Sequence, residues 1–165
     1  MNQIVARLSH PTPTWFPVDC VRVQIEDDGR DYDVPEYSAI HHISITVTDL
    51  DRSVPWYEEV FGMNIVMEGP HPNDTGKYVL LSNHDFSTMI GLHVHPNNER
   101  ERFSEARTGL DHVSFRVPSH GELEAWESRL SELGVEHSPI DDQELYSVVV
   151  FRDPDNVQLE FVSFG

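Results

Sequence analysis

The sequence predicts an α+β fold in which two tandem βαβββ modules build a curved, mixed-sheet cup. Two observations predict it. The stretch Ala39-Ile40-His41-His42-Ile43-Ser44-Ile45-Thr46-Val47 returns as Gly109-Leu110-Asp111-His112-Val113-Ser114-Phe115-Arg116-Val117. Each copy then runs into a helical pattern that stops at a glycine, Gly62 and later Gly134. His42 and His112 are 70 residues apart and the two glycines 72, so the copies stay in register but for a small insertion.

Residues 1–38 precede the repeat and form an N-terminal arm. Pro11, Pro13 and Pro17 exclude regular structure early in it. Val21, Val23 and Ile25 alternate with Arg22, Gln24 and Glu26, the period of a half-buried strand, and Asp27-Asp28-Gly29 reads as a turn into a short return strand near 31–34. Trp15 and Phe16 are expected to anchor the arm on the main body or on a second subunit.

The first module covers 39–95, with a strand at 40–48, a helix at 51–61 and strands near 63–68, 77–82 and 88–95. Pro55 requires the helix to begin close by, since a proline is tolerated only where backbone N–H groups lack partners. Gly62 supplies the left-handed stop. A polar linker, 96–108, leads to the second module at 109–165, so that 39–165 forms one domain. Ser119-His120-Gly121-Glu122 has capping-box spacing, and Leu123, Trp126, Leu130 and Leu133 make one apolar helical stripe. Strands follow near 135–138, 145–152 and 156–163, with a tight turn at Asp153-Pro154-Asp155-Asn156.

With 165 residues the chain can bury about 70 % of its unfolded surface and needs no disulfides. One cysteine, Cys20, fits a reducing compartment and has no adjacent base to make it a nucleophile. No signal-peptide pattern or long apolar run is present, so a soluble, cytoplasmic protein is expected. The net charge of −18 argues against nucleic acid and anionic membranes as partners. Phosphate loops, nucleophile elbows and paired C-x-x-C motifs are missing from the sequence.

The strand pleat separates two kinds of residue. Ile43, Ile45 and Val47 share one face and His42, Ser44 and Thr46 the other. Val113, Phe115 and Val117 oppose His112, Ser114 and Arg116. Ile90, Leu92 and Val94 oppose Gly91, His93 and His95, while Leu159 and Phe161 oppose Gln158 and Glu160. Four strands thus carry an apolar face for the helices and a polar, histidine-rich face opposite. Enclosed polar groups are costly unless they meet water, one another or a ligand. A cup holding a metal ion, with His42, His112 and Glu160 as ligands, satisfies that demand. His10, His71, His84, His120 and His137 are read as surface or hydrogen-bonded histidines, and His41 as a packing residue on the helix side.

At these residues the chain resembles the vicinal oxygen chelate superfamily of glyoxalases, extradiol dioxygenases, fosfomycin-resistance transferases and bleomycin-binding proteins. The resemblance rests on His41-His42 through Val47-Thr48-Asp49-Leu50, on Ser53-Val54-Pro55-Trp56-Tyr57 through Phe61-Gly62, on Leu110-Asp111-His112, and on Phe151-Arg152-Asp153-Pro154-Asp155-Asn156-Val157-Gln158-Leu159-Glu160. It implies His42, His112 and Glu160 as metal ligands, with Fe²⁺ expected and Mn²⁺, Zn²⁺, Ni²⁺ or Co²⁺ as alternatives. Gly91 falls where four-ligand members carry a glutamate or glutamine, so His93, on the same face, is the candidate fourth ligand or the general base. Extradiol enzymes carry a tyrosine where this chain has Val150; Tyr146 lies four residues back on that face and is a candidate catalytic group.

Ser44, His95, Ser114, Arg116 and Val150 are expected to line the substrate site, with Arg116 at its rim, about 13 Å along the strand from His112. The function expected is that of a metal-dependent, dioxygenase-like oxidoreductase acting on a small oxygen-bearing molecule, in a homodimer. A glyoxalase-like lyase or isomerase, a metal-dependent transferase, or a metal-free drug-binding protein are the alternatives.

Overall fold

The computed structural model describes Pro35 and residues 38–165. The strand and turn expected at 21–34, the aromatic anchors Trp15 and Phe16, and His10 and Cys20 lie outside the described residues. The first half contains β1 (Ile43–Thr46), α1 (Leu50–Phe61), β2 (Asn64–Pro70), β3 (Lys77–Ser82) and β4 (Met89–Val94). The second half repeats the order with β5 (His112–Arg116), α2 (His120–Glu132), β6 (Asp141–Asp142), β7 (Tyr146–Arg152) and β8 (Gln158–Phe164). Each half forms its own four-stranded mixed sheet, ordered β1-β4-β3-β2 and β5-β8-β7-β6. In both, the first strand pairs in parallel with the last, and the remaining pairs are antiparallel.

The two helices begin and end as their sequences direct. The Asp49 side chain accepts from Asp51 N–H at the start of α1, and Gly62, at φ 66°, closes it with its N–H on the Glu58 carbonyl. Ser119 accepts from Glu122 N–H at 3.3 Å, the expected cap of α2. Pro55 departs from expectation. It sits in the second turn of α1, not the first, and so offers no N–H to the carbonyl of exposed Asp51. The strand expected at 135–138 is instead a single bridge, His137 with Phe151, followed by the two-residue β6. Pro139 has no N–H for a continuous ladder there.

Both sheets press their apolar faces into one core. Ile45, Val47, Leu81, Ile90 and Leu92 from the first sheet join Val113, Val149, Phe151, Leu159 and Phe161 from the second. Phe61 at the end of α1 is the junction, with ring centroids of Phe115, Phe161 and Phe151 at 5.0, 5.7 and 6.1 Å. Trp126 of α2 stacks on Phe161 at 4.1 Å. Since strand side chains alternate, the polar face of each sheet points away from this shared core.

Polar contacts lock the halves together around the turn between β7 and β8. Asp155 accepts from Thr48 N–H and from the Thr48 hydroxyl, both at 2.7 Å, and pairs with Arg52. Asp153 is 4 % exposed; its Oδ1 accepts from the N–H groups of Asp155 and Val157, and its Oδ2 from the Tyr57 hydroxyl at 3.0 Å. Burial drives the Asp153 carboxyl up from 3.8 to about 6 and pushes the Tyr57 phenol well above 10. The same turn sets the start of β8, and so the position of Glu160.

Candidate metal centre

On the open face of the second sheet, His112 stands opposite Gln158 and Ser114 opposite Glu160 in the β5–β8 register. His112 Nε2 lies 3.7 Å from Glu160 Oε2. The atoms not facing each other are both tied down. His112 donates from Nδ1 to Asp111 Oδ1 at 2.8 Å, since a carboxylate only accepts, and in the neutral ring this leaves the lone pair on Nε2. Gln158 donates to Glu160 Oε1 at 2.9 Å and itself accepts from Arg152 at 2.9 Å; Arg152 also donates to Glu105. The bond to Asp111 raises the His112 pKa above its ordinary 6.5, against the effect of burial, with Glu160 adding to the rise.

A nitrogen and an oxygen held by outer partners with their free lone pairs facing is the donor chemistry of a histidine–carboxylate metal site. Asp111, Gln158 and Arg152 were not singled out as functional from sequence. The signals were adjacency, in Leu110-Asp111-His112, and strand parity, with Gln158 two residues before Glu160.

Val150 pairs with Glu160 across β7 and β8, as a flanking position requires. Tyr146 pairs with Phe164 four residues along, about 13 Å away, and is exposed. Arg116 is exposed, with its guanidinium 5.4 Å from the centre of the Phe164 ring, also toward that end. Ser114 is exposed on the open face beside Glu160.

The first sheet presents a separate cluster. His93 stands opposite Tyr78 in the β3–β4 register. One His93 ring nitrogen, Nδ1, is 3.0 Å from His71 Nε2, and the other, Nε2, is 3.1 Å from Ser44 Oγ. His95 Nδ1 donates to the Thr75 carbonyl at 2.9 Å. Burial, with the neighbouring His71, His95 and His42 rings, lowers the His93 pKa. Gly91 makes the Ser44–His93 contact possible, because a Cβ there would lie 2.8 Å from Ser44 Oγ and 3.0 Å from His93 Nε2. His71, expected as a surface or hydrogen-bonded histidine, is hydrogen-bonded and part of a cluster.

His42 is exposed, its Nδ1 2.9 Å from His41 Nδ1. His41 is exposed as well and does not pack under a helix, because it precedes β1 and escapes the pleat. Among the described residues, the three potential ligand atoms that come mutually within 4.8 Å belong to His71, His93 and His95. Within one chain His42 does not join His112 and Glu160 at that distance.

The sequence profile of the Glyoxalase/Bleomycin resistance protein/Dioxygenase superfamily matches residues 39–161. The chain belongs to this superfamily. Its members include dioxygenases, metal-dependent fosfomycin-resistance transferases and glyoxalases. Over 124 residues it is 30 % identical to the uncharacterized protein YwkD of Bacillus subtilis, covering 74 % of this chain and 94 % of that one. Metallothiol transferase FosB of Shouchella clausii is 27 % identical over 127 residues, 74 % of this chain and 78 % of FosB. A glyoxylase/bleomycin resistance protein/dioxygenase domain from Frankia sp. EAN1pec superposes with a TM-score of 0.72 at 32 % identity, covering 79 % of this chain and 94 % of that domain. Among the described residues no helix is long and apolar enough to cross a membrane.

Proposed function

We propose that the protein is a divalent-metal-dependent enzyme that binds a small oxygen-bearing substrate at a cation held by His112, Glu160 and His42. The observation that carries this reading is the orientation of His112 by Asp111 and of Glu160 by Gln158, which leaves Nε2 and Oε2 facing each other at 3.7 Å. A histidine and a carboxylate that served packing alone would need no such outer partners. The cation would supply Lewis-acid polarisation of the substrate oxygen and, if it is iron, reactivity with O₂.

His42 comes from a second copy in this reading. Each open face turns away from the shared core, so the first sheet of one protomer can lie over the second sheet of its partner and bring the three ligands together in a homodimer. The Ser114 hydroxyl, beside Glu160, orients the bound substrate. Arg116 neutralises an anionic substituent at the rim, and Val150 forms an apolar wall that keeps water from one side of the carboxylate.

With two histidines and one carboxylate, the dioxygenase-like reaction is the first reading. A metal-dependent transferase or isomerase is the second, favoured by Val150 standing beside Glu160 where extradiol enzymes carry a tyrosine.

The test is metal analysis of the full chain purified without chelators, followed by O₂ uptake with a panel of catechols and enediols. The expected result is a bound cation lost in His112→Ala and in Glu160→Ala, with Fe²⁺-dependent O₂ consumption. Turnover on Ni²⁺ or Co²⁺ without oxygen would select the second reading. A cation content unchanged by both substitutions would overturn the metal centre itself. Mixing His42→Ala with His112→Ala chains should restore about a quarter of the sites if ligands cross between protomers, and none if one chain closes its own cup.

A further inference from the structure

We propose that His71, His93 and His95 form a second transition-metal site, on the open face of the first sheet near His42, sharing no ligand with the centre at His112, Glu160 and His42. It would take a borderline cation of the zinc class, Zn²⁺, Ni²⁺, Co²⁺ or Cu²⁺, through three neutral imidazoles, with a fourth position left to water.

Three features of the chain build this site. Strand parity puts His93 and His95 on the same side of β4, which ends at Val94. The loop between β2 and β3 folds back so that His71 N–H donates to the Gly76 carbonyl at 2.8 Å, and this carries the His71 ring over β4. Only glycine suits position 76, because its φ is +142° and a Cβ would stand 2.0 Å from the Val94 carbonyl oxygen. The loop is thus seated directly on the backbone of the strand that bears the other two histidines.

The His95 tautomer leaves a nitrogen free for a cation. The Thr75 carbonyl can only accept, so the proton of His95 is on Nδ1 and the lone pair on Nε2. His71 Nε2 and His93 Nδ1 share one proton in a 3.0 Å hydrogen bond, a proton that a bound cation would displace. Two nitrogens bound tetrahedrally to one zinc at about 2.0–2.1 Å stand about 3.3 Å apart, so this pair is already at coordination spacing. One ligand atom from each of the three residues lies within 4.8 Å of the others. Ser44 Oγ meets the remaining His93 nitrogen at 3.1 Å and holds that ring in place, the role an outer partner plays for a metal-bound imidazole. The trio includes no carboxylate, which separates it in kind from the His112–Glu160 pair.

The proposal does not rest on the function proposed above, and one experiment separates the two. The metal-stripped full chain is titrated with Co²⁺, with bound metal measured by equilibrium dialysis and coordination followed by the visible d–d absorption of cobalt. The wild type should bind two equivalents per chain. His71→Ala/His95→Ala should bind one, and His112→Ala/Glu160→Ala should keep the equivalent that the first variant lost. His71→Asp retains an oxygen ligand and should bind at least tenfold more tightly at this site than His71→Ala. A folding defect would not sort those two substitutions. Unchanged stoichiometry in His71→Ala/His95→Ala would overturn the second site. So would a single wild-type equivalent that vanishes in His112→Ala/Glu160→Ala. A single equivalent that survives there and vanishes with the trio would uphold the trio and count against the other centre.

Discussion

Replacing Asp153 by asparagine tests the lock between the two halves. The carboxyl is 4 % exposed and accepts three hydrogen bonds, two from backbone N–H groups and one from Tyr57. Burial nevertheless raises its pKa from 3.8 to about 6. Folding therefore disfavours the charged form, and that difference amounts to about 3 kcal/mol. Since the folded protein binds this proton more tightly than the unfolded chain, the stability that Asp153 contributes is greatest below pH 3.8. It falls as pH rises through about 6 and is flat above that.

Asparagine has the same shape, keeps an oxygen for the two backbone N–H groups, and offers its amide to the Tyr57 oxygen. It carries no charge to desolvate. Asp153→Asn should match the wild type near pH 4 and exceed it above pH 7 by up to about 3 kcal/mol. Urea unfolding at half-unit steps from pH 4 to 8 measures the difference directly. Parallel stability curves, or an advantage of asparagine that grows toward acid, would refute this account of the turn.

Asp111→Asn should weaken metal binding at His112 and Glu160 by about 10–100-fold while leaving secondary structure unchanged, since it removes the carboxylate that fixes the His112 tautomer; calorimetric titration of both proteins checks it. Gly76→Ala should cost about 2 kcal/mol or more, because a Cβ at φ +142° meets the Val94 carbonyl. The same substitution should abolish cobalt binding at the histidine trio, a paired outcome that thermal unfolding and absorption read separately.

Much of the fold was legible because period-two alternation and helix stops are local. Ile45, Leu92, Val113 and Phe161 fell on the buried side as their parity requires, and Gly62 and Ser119 bounded helices by their own backbone or side chain. Pro55 was misplaced because its cost depends on whether a carbonyl four residues back can reach solvent, which is not written in the neighbouring residues. The same holds for 135–138, where a strand was expected and Pro139 limits it to one bridge.

The site was legible in part. Parity assigned Glu160, His112 and His93 to open faces, and the family motifs gave them roles. Gln158 shares a strand and a face with Glu160, so parity reaches that partner, whereas Ser44 on His93 was hidden because it is a contact between strands whose register the sequence does not state. His71 was missed for the same reason. It reaches His93 across 22 positions only because a glycine turn folds β2 back against its neighbour.

The division of labour along each strand has an evolutionary consequence. Odd and even positions answer to separate selection, one set to packing and the other to reactivity. An exchange at 93, 112 or 160 changes what the open side can grip while Leu92, Val113 and Phe161 go on holding the interior. A duplicated scaffold of this kind can exchange the residues of one open face without first having to learn to fold again.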